Sequence, residues 1–244
     1  MRYSVEHAAK PAVPIQQGNQ SAAWVSWVQI GTLIVILELA LWSRGLSRQV
    51  FSLTALAWVL ATSLFPRRSA TRLGLTSSGF RKSLWVISAA AAIASLFVST
   101  AWVVGGLHPA FGSRTDSYTY LAYGLWAVVQ QFILQSYVFV RFESLFADNK
   151  KAVLACAILF AFVHIPNPVL TIATFAGGLV FCEIFRRYRN LYSLGIAHAL
   201  LGISLAVSIP SPLHHDMRVG IGFLQPTASG APASDAPQPI LSIH

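Results

Sequence analysis

Apolar runs of membrane-spanning length alternate with short polar or basic stretches along most of the chain, at 22–42, 50–65, 83–104, 119–142, 152–164, 169–185 and 191–209. A helix rises 1.5 Å per residue, so about 20 apolar residues cross a hydrocarbon core of about 30 Å. The pattern predicts an all-α fold, a polytopic membrane helical bundle of about seven transmembrane helices occupying 22–209. Pro66 and Arg67 close the second run, and Ile165-Pro166-Asn167-Pro168 marks a tight turn after the fifth. The third run is rich in Ala and Ser, which permit close helix contact. Residues 1–21 read as a polar N-terminal arm with no signal-peptide core. Residues 210–244 read as an outer segment followed by a flexible tail rich in Pro, Ala and Ser. No internal repeat is evident.

Composition supports the membrane reading. The 244 residues are 55% hydrophobic and 10% charged, against about 25% charged in a soluble domain. This excludes a small soluble enzyme, a collagen-like chain and a wholly disordered one. Cys156 and Cys182 both lie in apolar runs, so no disulfide framework is implied. The net charge of +9 is distributed unevenly. With seven spans and a cytoplasmic N-terminus, 13 Lys and Arg fall on the inside, Arg141 among them, and four on the outside. That is the asymmetry of an integral cell-membrane protein of the bacterial inner-membrane type. Topology then accounts for the high pI without a nucleic-acid partner; membrane lipids are the expected surroundings, and the basic 66–82 stretch is a topology signal that could also touch anionic lipid.

Polar side chains at bilayer depth are costly and commonly functional. Gln130, Gln131 and Gln135 sit on the fourth span, His164 closes the fifth, and His198 lies within the seventh. Counted from the basic ends of their spans, the three groups lie at depths of about 16, 20 and 12 Å. Each glutamine alone reads as interhelical hydrogen-bond glue. Their convergence on one layer points to a site.

The spacing of these residues resembles the CPBP intramembrane proteases, named for CAAX proteases and bacteriocin-processing enzymes. Phe160-Ala161-Phe162-Val163-His164 matches that family's Phe-x-x-x-His motif, and the Ile-Pro-Asn-Pro that follows is similar to its usual continuation. His198 to Gly202 half matches His-x-x-x-Asn/Asp, while Gln130-Gln131 to Gln135 falls on Glu-Glu-x-x-x-Arg with every polar position kept and every charge gone. The resemblance covers about residues 119–209. It implies peptide-bond hydrolysis within the membrane, with Gln130 at the catalytic Glu position, His164 as its partner, and His198 helping to form the oxyanion site. Gln131 and Gln135 occupy the remaining positions of the first motif.

Two departures bear on mechanism. An amide has no useful basicity, so Gln130 cannot take a proton from water. Gly202 offers no side-chain donor, a group whose loss from an oxyanion site typically costs about 3 kcal/mol. The acidic and basic members of the first motif were replaced together, leaving no unpaired buried charge. Two readings stay open: a divergent endopeptidase acting on a peptide or membrane-anchored protein, and a pseudoprotease that binds a hydrophobic peptide or a partner's transmembrane helix. A small transporter is a weaker third.

Other candidate groups are Glu183, which reads as a surface ion pair with Arg186 and Arg187, and Glu38, an intramembrane carboxylate with no basic residue three or four positions away. His214-His215-Asp216 lacks the spacing of a zinc site and reads as interface anchoring. A zinc hydrolase built on His164 and His198 would have only an amide for its third ligand, so neither metal nor cofactor is expected.

Overall fold

The computed structural model describes residues 18–64, 69–110 and 117–225. Residues 1–17 of the predicted N-terminal arm, Pro66, Arg67 and the predicted flexible tail from residue 226 lie outside them, while residues 18–21 of that arm are helical. The described residues are helical and contain no strand. In chain order the helices are α1 (Gly18–Leu41), α2 (Gly45–Leu64), α3 (Phe80–Val103), α4 (Ser117–Gln131), a π-helical segment (Phe132–Phe139) running on into α5 (Val140–Leu145), α6 (Asn149–Phe162), α7 (Pro168–Tyr188), α8 (Leu191–Ser208) and the short α9 (Ser211–His214). Among the described residues each predicted apolar run is helical over most of its length, and the chain is an all-α membrane bundle. Residues 22–41, 77–103, 168–188 and 191–208 are long and apolar enough to cross a membrane by themselves. The remaining three depart for visible reasons. Helix α2 carries Arg48 and Gln49 near its start, α4 to α5 holds three glutamines and Arg141, and α6 has 14 residues.

Contacts across the chain define two ends. At the basic end the Leu191 N–H donates to the Gly74 carbonyl, and Gly79 lies directly against the Tyr188 carbonyl. At the opposite end the Gly220 N–H donates to the Ile165 carbonyl, with Gly220 against Leu41, and the His108 N–H donates to the Val207 carbonyl. Two buried asparagines organise these ends, each doing two jobs. Asn190 accepts from the Ser193 N–H at 3.0 Å, capping α8, and donates to the Thr76 carbonyl at 3.1 Å. Asn167 accepts from the Leu170 N–H at 3.1 Å, capping α7 ahead of Pro168, and donates to the carbonyls of His214 and Arg218 at 2.7 and 2.9 Å. Side-chain caps of this kind satisfy orphan amides at a helix start. The segment 209–225 is thereby strapped over the bundle end.

The α4–π–α5 rod is the central element. Every residue from Leu134 to Phe142 is buried, so neighbours surround it on all sides. The Gln29 side chain of α1 accepts from Arg141 Nε at 2.8 Å, and Trp58 of α2 donates to the Tyr137 hydroxyl at 2.9 Å. The Ser136 hydroxyl donates to the Leu73 carbonyl at 2.6 Å, and the Phe139 ring meets Phe185 of α7 edge-on. Arg141 is therefore no loop charge. Its guanidinium lies 3.5 Å over the Tyr137 ring and donates to the carbonyls of Tyr137 and Thr62. Small residues let the other helices close in. Gly178 packs on Ala157 between α6 and α7, Gly195 packs on Val128 between α4 and α8, and Ser193 of α8 bonds Ser83 of α3 at 2.8 Å.

Candidate functional site

Helices α4 and α8 run antiparallel, so Gln131 faces His198. The α4 helix widens into the π segment one residue later, a local geometry that recurs at functional sites because it redirects side chains. Gln131 and Gln135 are both fully buried. Gln135 Nε2 donates to Gln131 Oε1 at 3.2 Å, and Gln131 Nε2 donates to His198 Nδ1 at 2.7 Å. Among the described residues Gln135 Oε1 has no partner. The relay ends on a defined tautomer: with Nδ1 accepting, the neutral His198 ring carries its proton on Nε2.

Phe160 links the two histidines. Its carbonyl can only accept, so His164 Nδ1 donates to it at 2.6 Å, and the lone pair of the neutral His164 ring is on Nε2. The Phe160 ring stands edge-on to His164 at 4.9 Å between centroids and to His198 at 5.9 Å. Phe181 of α7 closes over the other side of His198 at 6.2 Å. The Phe of Phe-x-x-x-His thus fixes one imidazole through its backbone and spaces both with its ring. The outcome is a pair of imidazoles of opposite polarity in apolar walls, one offering an acceptor nitrogen and the other an N–H donor.

The member of the glutamine pair that reaches a histidine is Gln131. Gln130 stands one position further round the helix, half-buried, and its side chain has no hydrogen bond among the described residues. Glu183 forms the surface ion pairs read from its spacing, with Arg186 at 2.8 Å and Arg187 at 2.6 Å. Glu38 accepts from the Trp42 indole at 3.0 Å and shares no hydrogen bond with the Gln and His side chains. His214 is buried in the strap, where it donates to the Ile209 carbonyl and accepts from the Met217 N–H. Its neighbour His215 stacks on Phe223 at 4.1 Å. No group of three or more His, Cys, Asp or Glu side chains suited to a metal occurs among the described residues. Position 202, read as empty in the sequence, is occupied from across the interface: a Cβ on Gly202 would coincide with the Tyr123 hydroxyl of α4. Residue type alone could not show this, because it depends on the register of two helices far apart in sequence.

Neither the curated proteins nor the solved structures yield a match to the chain. A family profile does, described as Type II CAAX prenyl endopeptidase Rce1-like and matching residues 113–203. That stretch carries the three motifs, on α4 and its π segment, at the end of α6 with the turn that follows, and on α8, and it supports the resemblance to the CPBP/CAAX proteases.

Proposed function

We propose that the protein is an intramembrane endopeptidase of CAAX type, acting on a peptide or membrane-anchored protein, in which His164 rather than a carboxylate is the general base. The opposite polarity of the two imidazoles carries this reading. A water held by His164 Nε2 attacks the scissile carbonyl carbon and gives its proton to that nitrogen. The carbonyl oxygen, now an oxyanion, accepts from His198 Nε2–H. The C–N bond then breaks, and His164 returns the proton to the departing amine. Gln131 and Gln135 are positioning residues that hold His198 in its donor tautomer. The prenyl group in the family description is not required by this chemistry, which addresses only an amide in apolar surroundings.

A pseudoprotease is the second reading, favoured by the completeness of an amide–amide–imidazole relay that contains no carboxylate. Purified protein in proteoliposomes, given a membrane-anchored reporter peptide library, separates the two. The peptidase reading expects cleavage that is lost in His164→Ala and lowered by about 10²–10³-fold in His198→Ala. If the unmodified chain is inert, while Gln130→Glu, Gln131→Glu and Gln135→Arg together create activity, the chain binds without cutting and the peptidase reading is withdrawn.

A further inference from the structure

The Tyr123 hydroxyl occupies a position that chain chemistry alone would leave bare. Gly202 is buried in α8, one turn beyond His198 and therefore about 6 Å further along the same face. A Cβ built there would fall on the Tyr123 hydroxyl and lie 2.7 Å from Cζ and 3.0 Å from Cε1. No side chain fits at 202 while Tyr123 holds this place. The two helices touch over this whole stretch, with Gln131 against His198, Val128 against Gly195 and Tyr123 against Gly202. Tyr123 precedes Gln130 and Gln131 by two helical turns, so it shares their face of α4. A phenol is a neutral hydrogen-bond donor, and here it lies on the same face of α8 as the His198 ring. We propose that Tyr123, seated on the bare backbone of Gly202, is the second donor of the oxyanion site, supplied by α4 in place of a side chain at position 202. This rests on the peptidase reading above. It also makes Tyr123 and Gly202 a matched pair, in which a side chain at either position excludes the other.

The test uses the full chain in detergent micelles and two probes: a dodecanoylated Leu/Ala octapeptide, and the same peptide with its central amide replaced by a phosphinic group, an anionic tetrahedral mimic. Transition-state mimics bind at least about 10²-fold more tightly than the matching substrate, so the unmodified protein should prefer the phosphinic form. Tyr123→Phe keeps the ring on Gly202 and removes only the donor. It should lose about 10²-fold of that preference while keeping its affinity for the amide peptide and its melting temperature. Gly202→Asn alone should also lose the preference, because it displaces the phenol, whereas Tyr123→Ala with Gly202→Asn should regain part of it. Tyr123→Phe separates donor from packing, because a purely steric role for the ring would leave the preference unchanged. Full preference retained in Tyr123→Phe, or no preference in the unmodified chain, overturns the proposal. Cleavage assays in parallel separate the two ideas. A Tyr123-dependent preference without cleavage sinks the peptidase reading alone, and cleavage indifferent to Tyr123→Phe sinks this inference alone.

Discussion

Replacing Asn167 should release the strap that closes one end of the bundle. Its side chain is fully buried and makes three hydrogen bonds, to the Leu170 N–H and to the carbonyls of His214 and Arg218. In Asn167→Ala the lost cap costs about 1 kcal/mol, and each stranded carbonyl costs about 1–3 kcal/mol if it stays dry. The Arg218 contact is only partly buried, so water recovers some of its share. A net loss of about 3–4 kcal/mol follows, equivalent to a fall of roughly 10 °C in melting temperature. Asn167→Asp divides the two jobs: one oxygen still caps α7, while the other faces two carbonyls and can no longer donate to both. That variant should keep the start of α7 and loosen 209–225. Thermal unfolding in micelles measures the first effect. Tryptic cleavage after Arg218, whose side chain is 15% exposed, measures the second. An Asn167→Asp protein as resistant to trypsin as the unmodified chain would refute the assignment of the clamp to Nδ2.

The strap should also respond to pH. Burial holds the His214 pKa below its ordinary value, with the opposing Ile209 carbonyl and Asp216, and the assisting His108 charge, as smaller influences. Between the folded and unfolded values the unfolded chain binds more protons, so this stabilisation is full above about pH 6.5 and declines as pH falls below it. Protonating Nδ1 would set an N–H against the Met217 N–H it now accepts from. Hydrogen exchange of amides 211–223, corrected for intrinsic rates, should accelerate as pH falls from 7 to about 5, and His214→Gln should flatten the dependence; a flat profile in the unmodified chain contradicts the argument. Glu183→Gln should change stability by less than about 1 kcal/mol, since about a third of each side chain in the Arg186 pair is exposed, and a melting shift above about 5 °C would show a deeper role. Reporter fusions at residues 78 and 189 should both report the cytoplasm, because these loops share one end of the bundle and carry the basic excess. A periplasmic report at either would reverse the proposed orientation.

The helices were legible because an apolar run in this composition has no other stable form, and the bounds shifted mainly where caps decide them. Asp148 starts α6 at Asn149 by accepting from the Lys150 N–H, three residues ahead of the apolar run. Asn167 and Asn190 are recognisable as caps from their positions before Pro168 and Leu191, but the loops they hold are visible only in three dimensions. The π segment has no residue signature, since Phe132–Phe139 reads as ordinary apolar helix. Arg141 lay near the chain's charged stretches and passed for a loop residue, and nothing local to it announced Gln29 and Thr62 as its partners. At the candidate site the polar positions were legible from their spacing. Which glutamine reaches His198, and what fills the space over Gly202, depended on the rotation and register of α4 against α8.

The burial of Arg141 has a consequence for how the chain enters its membrane during synthesis. An arginine at the centre of an isolated span costs about 2.5–3.5 kcal/mol at the translocon; Arg141, four residues from the end of 117–145, carries only part of that cost, and the three glutamines of the same stretch add to it. The groups that receive the guanidinium, Gln29 and Thr62, belong to α1 and α2 and leave the ribosome before it does. The partner of Gln131, His198, leaves the ribosome later. The α1–α2 hairpin is therefore a receptacle that waits for the rod, and α8 is the late closure that completes the polar layer. A chain beginning at residue 69 should insert 117–145 poorly, and co-expression of a separate 1–68 fragment should restore insertion, as a glycosylation reporter placed after residue 145 would record.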